Sequence, residues 1–390
     1  MAVEVQGQGR ATVQQLQRRS EMRTRNTRAR WVNPHDEVGL AVIMAVGVIF
    51  GLLAMYVRQH YLPSDYEADS RKIESIANGS RPDFVDSSFT PIANIYEFLG
   101  LANQPAIASL LGYGLAIVVI YVAVYWHGRK TATWITAAYA IGAFIFAGVY
   151  LGQYSKDVFL LPVVLLAIVL PRRIYWDLIL LLGMGGAAYL FRDYWALIAA
   201  AYVTLRLLTL AQVRIRYLLT TAMVGAAALG LAIYFLRGHA PNYYRTSVQG
   251  NLEAATFIHP LEPLPQPLGG VVDIIAQFWL FMLPVTLPLV AGAAYIVVML
   301  ALSFLRVAPL IALRSDKSWP PASSLNGATL RRSLALFLAF TAVQALFEPD
   351  YGSVLRHLSP LLPLGLVMMQ TMPRPAARRG RLLGWSWTGK

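Results

Sequence analysis

The sequence predicts an all-α polytopic membrane protein with about ten transmembrane helices. Of its 390 residues, 57% are hydrophobic and only 14% are charged, and the mean hydropathy is +0.51. Ordinary soluble domains carry about 25% charged residues. The apolar residues are also gathered into runs, many of them close to the roughly 20 residues that a helix needs to cross a bilayer. Together these observations exclude a soluble globular domain.

The apolar runs define the predicted spans. The first covers residues 38–57, and the later ones cover 105–126, 131–151, 157–170, 174–191, 194–211, 217–236, 272–305, 333–347 and 357–372. The 272–305 run is too long for one straight crossing and contains Pro284 and Pro288, which break helices. It is either a horizontal segment leading into one helix or two short helices. Counted as one crossing, it gives ten spans with both termini on one side.

The charge distribution predicts the orientation of a single transmembrane domain, residues 38–372. Most of the 33 Lys and Arg residues fall on one side of the spans and most of the 20 Asp and Glu residues on the other. Basic residues favour the cytoplasmic side. Residues 1–37 are therefore a basic cytoplasmic arm, 373–390 a basic cytoplasmic tail, and 58–104 and 237–271 outer loops. The net charge of +13 follows from this topology, and no nucleic-acid partner is expected.

Two inner-side features complete the predicted layout. Residues 306–332 are basic and are interpreted as a loop on the cytoplasmic side. Arg206 lies inside the span 194–211, where a charged side chain must face the bundle or reach back to the interface, and the second is preferred.

Polar residues gather on the predicted outer face, and ionisable groups near a membrane core are costly enough to indicate a site. The densest group is the run 347–357, between the last two spans. The catalytic candidates are Asp65, Glu348, Asp350 and His357. The candidates for binding a substrate or its diphosphate are Lys156, Arg192, His239, Tyr243, Tyr244, Arg245 and Arg356.

These residue types suit glycosyl transfer from a lipid-diphosphate donor. Arginine donates paired charge-assisted hydrogen bonds to phosphate and can stabilise the charge that grows on a leaving diphosphate without a metal. A carboxylate or histidine can accept the proton of an attacking sugar hydroxyl, and the sequence leaves open which one does. The six histidines lack metal-ligand spacing, and phosphate-loop, zinc-protease and serine-hydrolase motifs are absent from the sequence. No cofactor is expected.

The layout of residues 40–370 resembles oligosaccharide-unit polymerases of the Wzy type, especially the EpsG-like group of bacterial exopolysaccharide proteins. The segments that carry the resemblance are short and lie in or beside outer loops. They are Asp65-Tyr66, residues 88–92 (SFTPI), 96–100 (YEFLG), 152–157 (GQYSKD), 192–194 (RDY) and 351–357 (YGSVLRH) with Pro360 and Pro363.

The resemblance implies a bundle like that of the glycosyltransferase C superfamily in the bacterial inner membrane. Such an enzyme joins polyprenyl-diphosphate-linked repeat units into a surface polysaccharide at the outer face, without a metal. Arg192, Arg245 and Arg356 would hold the donor diphosphate or the acceptor, and His357 or a nearby acid would activate the acceptor hydroxyl. Besides membrane lipid and the lipid-linked oligosaccharide, the expected partners are a chain-length regulator or other polysaccharide assembly proteins.

Three alternatives remain. A glycosyltransferase that uses a polyprenyl-monophosphate sugar typically has an acidic pair in the first outer loop, where Asp65 and Glu67 lie. A lipid-linked-sugar transporter or flippase would require polar residues spread through the spans and two related halves, which the sequence lacks. A non-catalytic scaffold for a synthase would use the basic arm and the basic tail to recruit partners, and it would not need the outer polar cluster.

Overall fold

The computed structural model describes residues 34–61, 67–80, 88–126, 133–243, 256–259, 264–314 and 319–371, with the side chains of 34–36 excepted. Within these ranges the chain is helical, without β-strands apart from one isolated bridge between Phe257 and Asp350. The helices are α1 (Pro34–Tyr61), α2 (Ala68–Ala77), α3 (Thr90–Phe98), α4 (Pro105–Tyr125), α5 (Trp134–Tyr150), α6 (Leu161–Val169), α7 (Asp177–Leu190), α8 (Tyr194–Leu210), α9 (Ile215–Arg237), α10 (Leu268–Met282), α11 (Leu287–Ala291), α12 (Ile296–Ala312), α13 (Leu325–Phe347), α14 (Tyr351–Leu358) and α15 (Leu362–Thr371).

Six helical segments of the described chain are long and apolar enough to cross a membrane. They are Glu37–Tyr61, Pro105–Tyr125, Ile215–Arg237, Ala293–Ala312, Leu325–Phe347 and Tyr351–Thr371. Four shorter apolar helices, Trp134–Tyr150, Ile174–Leu190, Tyr194–Leu210 and Leu268–Met282, accompany them. Their length and composition are those of a multi-pass helical membrane protein, as the sequence predicts. The span predicted at 157–170 is divided: a 3₁₀ turn covers Lys156–Leu160, and α6 begins at Leu161 with Pro162 in its first turn, where proline is tolerated.

Helix α13 is the centre of the bundle. Of the residues in its most apolar stretch 94% are buried, against 22% for α1, so α13 is enclosed around its whole circumference while α1 turns much of its surface outward. α1 packs on α5 through glycine: a Cβ on Gly148 would lie 2.1 Å from the carbonyl oxygen of Gly51. This contact allows the two backbones to approach closely.

The bundle has two polar ends. The lower end holds Asp177, Arg206 and Arg332, and the upper end holds Arg192, Glu348 and His357. At the lower end the Asp177 carboxylate pairs with Arg206, Nε to Oδ2 2.7 Å, and with Arg332. Arg206 is 3% exposed, so it faces the bundle and does not reach back to the interface as expected.

The predicted basic loop at residues 306–332 is wrong over most of its length. α12 continues to Ala312 and α13 begins at Leu325, and Arg331 and Arg332 are buried within α13. Both guanidinium groups bond to carbonyls at the ends of other helices. Arg332 donates to Leu170 O (2.7 Å) beyond α6, and Arg331 donates to Thr209 O (3.0 Å) in the last turn of α8. Because helix C-termini carry partial negative charge, they accept arginine in the interior.

The 272–305 run contains a helix that stays at the upper end and a helix that runs to the lower end. Near the start of α10, Ile274 packs against Gly230 of α9 and shares that contact with Leu346. Beyond its end, the Thr286 hydroxyl lies 2.7 Å from the Tyr351 hydroxyl, again at the upper end. α12 then descends until Trp319 Nε1 donates to Leu313 O (3.1 Å) beside Arg331. The run is therefore divided into more than one helix, and α12 is the part of it that reaches the lower end.

Replacement of Asp177 tests the role of the lower end. Asp177→Asn leaves two buried guanidinium groups without their carboxylate, and we expect it to lower the free energy of unfolding by about 3–5 kcal/mol. Asp193→Asn, at an exposed position, is the matched control and should change it by less than about 0.5 kcal/mol. Thermal unfolding of both variants in the same detergent gives the comparison, and equal melting temperatures would contradict this role.

Candidate functional site

The centre of the upper end is a histidine–aspartate pair. His357 is in the last turn of α14, and Asp157 belongs to a 3₁₀ turn, Lys156–Leu160, that precedes α6 and is capped by the Ser155 hydroxyl. His357 Nδ1 lies 3.1 Å from Asp157 Oδ1, and Arg192 contacts His357 Nε2. Because arginine is only a donor, Nε2 accepts, and Nδ1 carries the proton that is donated to Asp157. The histidine is thus fixed as one neutral tautomer.

Two arginines and a second acid surround this pair. Arg192 donates to the Tyr194 hydroxyl (2.5 Å) and brings Nη2 to 4.0 Å from Asp157 Oδ1. Arg356 Nε is 3.5 Å from Asp157 Oδ2. Glu348 Oε2, at the end of α13, is 3.6 Å from His357 Nε2. Asp157 is therefore the common neighbour of both guanidinium groups and the imidazole.

The first predicted outer loop covers the cluster with the helices α2 and α3. Asp69, in the first turn of α2, forms an ion pair with Arg356. Lys156 Nζ is 3.3 Å from Ser88 Oγ and lies 4.0 Å from the centre of the Phe89 ring. The loop therefore supplies a carboxylate, a hydroxyl and an aromatic face to the site.

A third arginine anchors the base of this covering segment. Arg58, near the end of α1, donates to Gln153 Oε1 (2.5 Å) and to Gly152 O (2.8 Å). The same guanidinium is 3.4 Å from Glu67. α1 is thereby joined both to the turn that carries Lys156 and to the start of α2.

The charges of the site alter the pKa values of its members outside the spans. Burial, with Arg192 and Arg356 adding to it, lowers the pKa of Lys156 to about 7. Burial by itself would raise the pKa of Asp69, but Arg356, Lys156 and Arg192 outweigh it and lower that pKa. Burial opposes the charge of Arg192, yet Tyr194 and Asp157 raise the pKa of this guanidinium. Asp69 and Arg192 thus stay ionised, whereas Lys156 titrates near neutrality.

Five of the predicted residues come together here. They are Lys156, Arg192, Glu348, Arg356 and His357. His357 and Glu348 are 0% exposed, so in this conformation neither can contact a ligand from outside, and His357 contacts Arg192. At the mouth, Arg356 and Asp69 have side chains 18% and 26% exposed.

The remaining predicted residues have other positions. Asp350 caps the start of α14, accepting from Ser353 N (2.7 Å) and from the Thr256 hydroxyl, which is a structural role. His239 and Tyr243 stack on each other beyond the end of α9, with ring centroids 5.0 Å apart. Asp65, Tyr244 and Arg245 lie outside the described residues, as do residues 1–33 of the basic arm and the whole basic tail, 373–390.

Sequence reasoning did not select Asp69, Asp157 or Arg58 as site residues, although Asp69 and Asp157 are among the predicted outer polar residues and Asp157 ends the segment 152–157 that carries the resemblance. Asp157 had a usable signal, since it opens an apolar run directly after Lys156 and near a serine that can cap a helix. Asp69 and Arg58 stood among other charged residues of the first outer loop, and nothing in the sequence singled them out.

Chemically, the site is suited to an oxyanion. Arg356, Arg192 and Lys156 all act electrostatically on the Asp69 carboxylate, and guanidinium and ammonium groups are the usual donors to phosphate. Comparison of the chain with family models, with curated proteins and with solved structures finds no match in any of the three. The function therefore has to be argued from the site.

The pKa of Lys156 predicts pH-dependent anion binding. In the empty site this amine loses its proton as the pH rises through about 7, and a bound anion favours the protonated form. Binding therefore takes up a proton, and the affinity for sulfate, whose charge is constant over this range, should fall by up to about tenfold per unit above neutrality.

Calorimetric titration of sulfate between pH 6 and 9 measures this effect. Lys156→Arg is the control, because a guanidinium keeps its charge, and its affinity should be nearly independent of pH. A wild-type affinity that is the same at pH 6 and pH 9 would show that Lys156 does not titrate in the site.

Proposed function

We propose that the protein is a membrane glycosyltransferase that polymerises polyprenyl-diphosphate-linked oligosaccharide repeat units at the outer face of the bacterial inner membrane. The observation that carries the proposal is the convergence of Arg192, Arg356 and Lys156 at one end of the bundle, under a segment that supplies a partly exposed carboxylate. Arginine and lysine match a diphosphate, and an acid beside them matches a sugar hydroxyl.

The charges at the two ends support the proposed orientation. Exposed arginines at the lower end, Arg172, Arg173, Arg214 and Arg216, favour the cytoplasm for that end. The proposed topology leaves α10 at the upper end and counts ten crossings: α1, α4, α5, α6, α7, α8, α9, α12, α13, and α14 together with α15. An even number of crossings agrees with the proposal that both termini are cytoplasmic and that the site is on the outer side.

The proposed reaction is a displacement at the anomeric carbon. The acceptor hydroxyl oxygen forms a bond to that carbon, the carbon–oxygen bond to the diphosphate breaks, and the diphosphate leaves with the electron pair. The hydroxyl proton passes to a carboxylate, for which Asp69 is the partly exposed acid beside the cations. Arg356, Arg192 and Lys156 stabilise the charge on the leaving group, so the residues present suit a reaction without a metal.

His357, Asp157 and Glu348 position the cations in this scheme. The fixed tautomer of His357 accepts from Arg192, and Asp157 holds His357 and both arginines at once. Their burial excludes water and strengthens these contacts. His357 thus serves as a support for the arginines, and the base is one of the acids at the mouth.

One observation favours a second candidate, transfer from a polyprenyl-monophosphate sugar. The first outer segment contributes Asp69 to the site and brings Glu67 to Arg58, and acidic residues in this segment are what the monophosphate alternative requires. Both candidates use the same cations, and they differ in the donor and in whether the product is a polymer.

A reconstituted assay tests the proposal. Purified protein in nanodiscs is given either lipid-diphosphate-linked repeat units or a lipid-monophosphate sugar, with EDTA present, and products are separated on a gel. We expect a ladder from the diphosphate donor and a loss of about 10²–10³-fold in rate for Arg356→Ala, because a donor to the leaving group is removed.

The matched control is Arg172→Ala, which removes an exposed arginine from the lower end and should retain the wild-type rate. A single addition from the monophosphate donor would favour the second candidate. Folded protein that gives no product with either donor would contradict glycosyl transfer and favour transport or scaffolding.

A further inference from the structure

The segment that covers the site is a small unit with its own core. Buried side chains of α2 and α3, among them Ile73, Ile92 and Tyr96, form an apolar cluster separate from the main core of the bundle. Tyr154 joins this cluster from below, its ring edge-to-face with that of Tyr96 at 4.9 Å between centroids. A unit with a separate core can move as one body over the bundle.

The unit is held firmly on one side and weakly on the other. On the α3 side the contacts are buried: Tyr96 OH donates to Ser155 O (3.2 Å), and Tyr154 OH donates to Leu101 O. On the α2 side the fastenings are two ion pairs whose carboxylates are partly exposed, Asp69 with Arg356 and Glu67 with Arg58. Partly solvated ion pairs contribute little net stability. The α2 side is therefore the side that can open.

Asp69 supplies a negative charge where the proposed substrate would supply one. Its carboxylate pairs with Arg356, and Lys156 and Arg192 also act on it. These three cations are the groups that the proposed function assigns to the phosphates. A phosphate and the Asp69 carboxylate cannot both occupy this position, because like charges at contact distance repel.

We propose that the Asp69 carboxylate occupies the subsite of a substrate phosphate, so that α2 latches the empty site and is displaced when a lipid-linked phosphate binds. The inference rests on the proposed function for the identity of the ligand. Beyond the proposed function, the inference places the phosphate beside Arg356 and under α2. It also requires that α2 moves before the reaction. Once displaced, Asp69 is released from Arg356 and becomes available to accept the acceptor proton.

The latch should reduce the apparent affinity for phosphates. A site that is open only part of the time binds more weakly in proportion to its open fraction. Asp69→Asn weakens the latch, and we expect it to bind inorganic pyrophosphate roughly 3- to 10-fold more tightly than wild type by calorimetry on the full chain in nanodiscs. Turnover of the same variant should fall, because Asp69 is the proposed proton acceptor. Tighter binding together with slower turnover distinguishes loss of the latch from a general gain of function.

The matched control is Glu74→Gln, which removes one negative charge from the same helix without touching the Arg356 ion pair. It should keep the wild-type affinity for pyrophosphate. If Asp69→Asn binds pyrophosphate no more tightly than wild type, the latch is wrong. Repeating the titration with a polyprenyl diphosphate in the nanodisc distinguishes a lipid donor, which should displace the latch at lower concentration, from a free anion.

A distance measurement tests the movement independently of affinity. The chain has no native cysteine, so spin labels can be placed at Asn78→Cys on the covering unit and Tyr189→Cys at the exposed end of α7. Pyrophosphate should lengthen or broaden the distance distribution in wild type, and adding Asp69→Asn should do so without ligand.

The two measurements separate the two proposals. If pyrophosphate binds and neither the ligand nor Asp69→Asn changes the label distances, the latch fails while the proposed function stands. If Asp69→Asn opens the unit but neither pyrophosphate nor the lipid diphosphate binds, the latch contact is real but the occupant is not a phosphate. That result would overturn both this inference and the proposed donor.

Discussion

The upper end of this protein depends on one buried carboxylate. Asp157 is 1% exposed and has His357, Arg192 and Arg356 around it. A carboxylate in so dry a position stays ionised only if cations surround it, and the cations are tolerated there only because of the carboxylate. The local backbone follows from this requirement. The chain breaks between α13 and α14, Asp350 caps the new helix, and the last turn of α14 then directs Arg356 and His357 to Asp157.

The lower end also contains a buried carboxylate, and its arginines have different partners. Asp177 is also shared by two arginines, yet Arg332 and Arg331 each donate further bonds to backbone carbonyls, which completes their coordination within the bundle. Buried nitrogens without a hydrogen-bond partner occur at both ends, Arg206 Nη1 at the lower end and Arg192 Nη2 and Arg356 Nε at the upper end. The two ends differ in exposure. Asp177, Arg206 and Arg332 are all buried, whereas the upper cluster reaches the surface at the ion pair between Arg356 and Asp69.

The sequence predicted the parts of the fold that follow from local composition. The apolar runs of α4 and α9 were located to within two residues at each end and that of α1 to within four, because a single span must bury its length in lipid whatever surrounds it. The start of α13 was missed, because Arg331 and Arg332 are charged residues that the sequence alone does not place inside a bundle. Their burial depends on Asp177 and on the carbonyls at two helix ends. The site divides in the same way. Arg192, Lys156, Arg356 and His357 were recognisable as costly charges at span ends, but Asp69 and Asp157 owe their roles to partners 287 and 200 residues away.

Burial also changes which residues can act on a substrate, and no sequence pattern reveals it. In the proposed orientation the outer face is the side that disfavours Lys and Arg, so Lys156, Arg192 and Arg356 are placed against the topological preference. Each of the three cations contacts an acid or an aromatic ring there. We infer that these contacts, and not solubility or topology, account for cations at this position. His357 and Glu348, fully enclosed behind them, fix that position. In the proposed function the chemistry therefore belongs to the partly exposed layer, where Arg356 and Asp69 face each other and where an incoming anion would compete with the protein's own carboxylate.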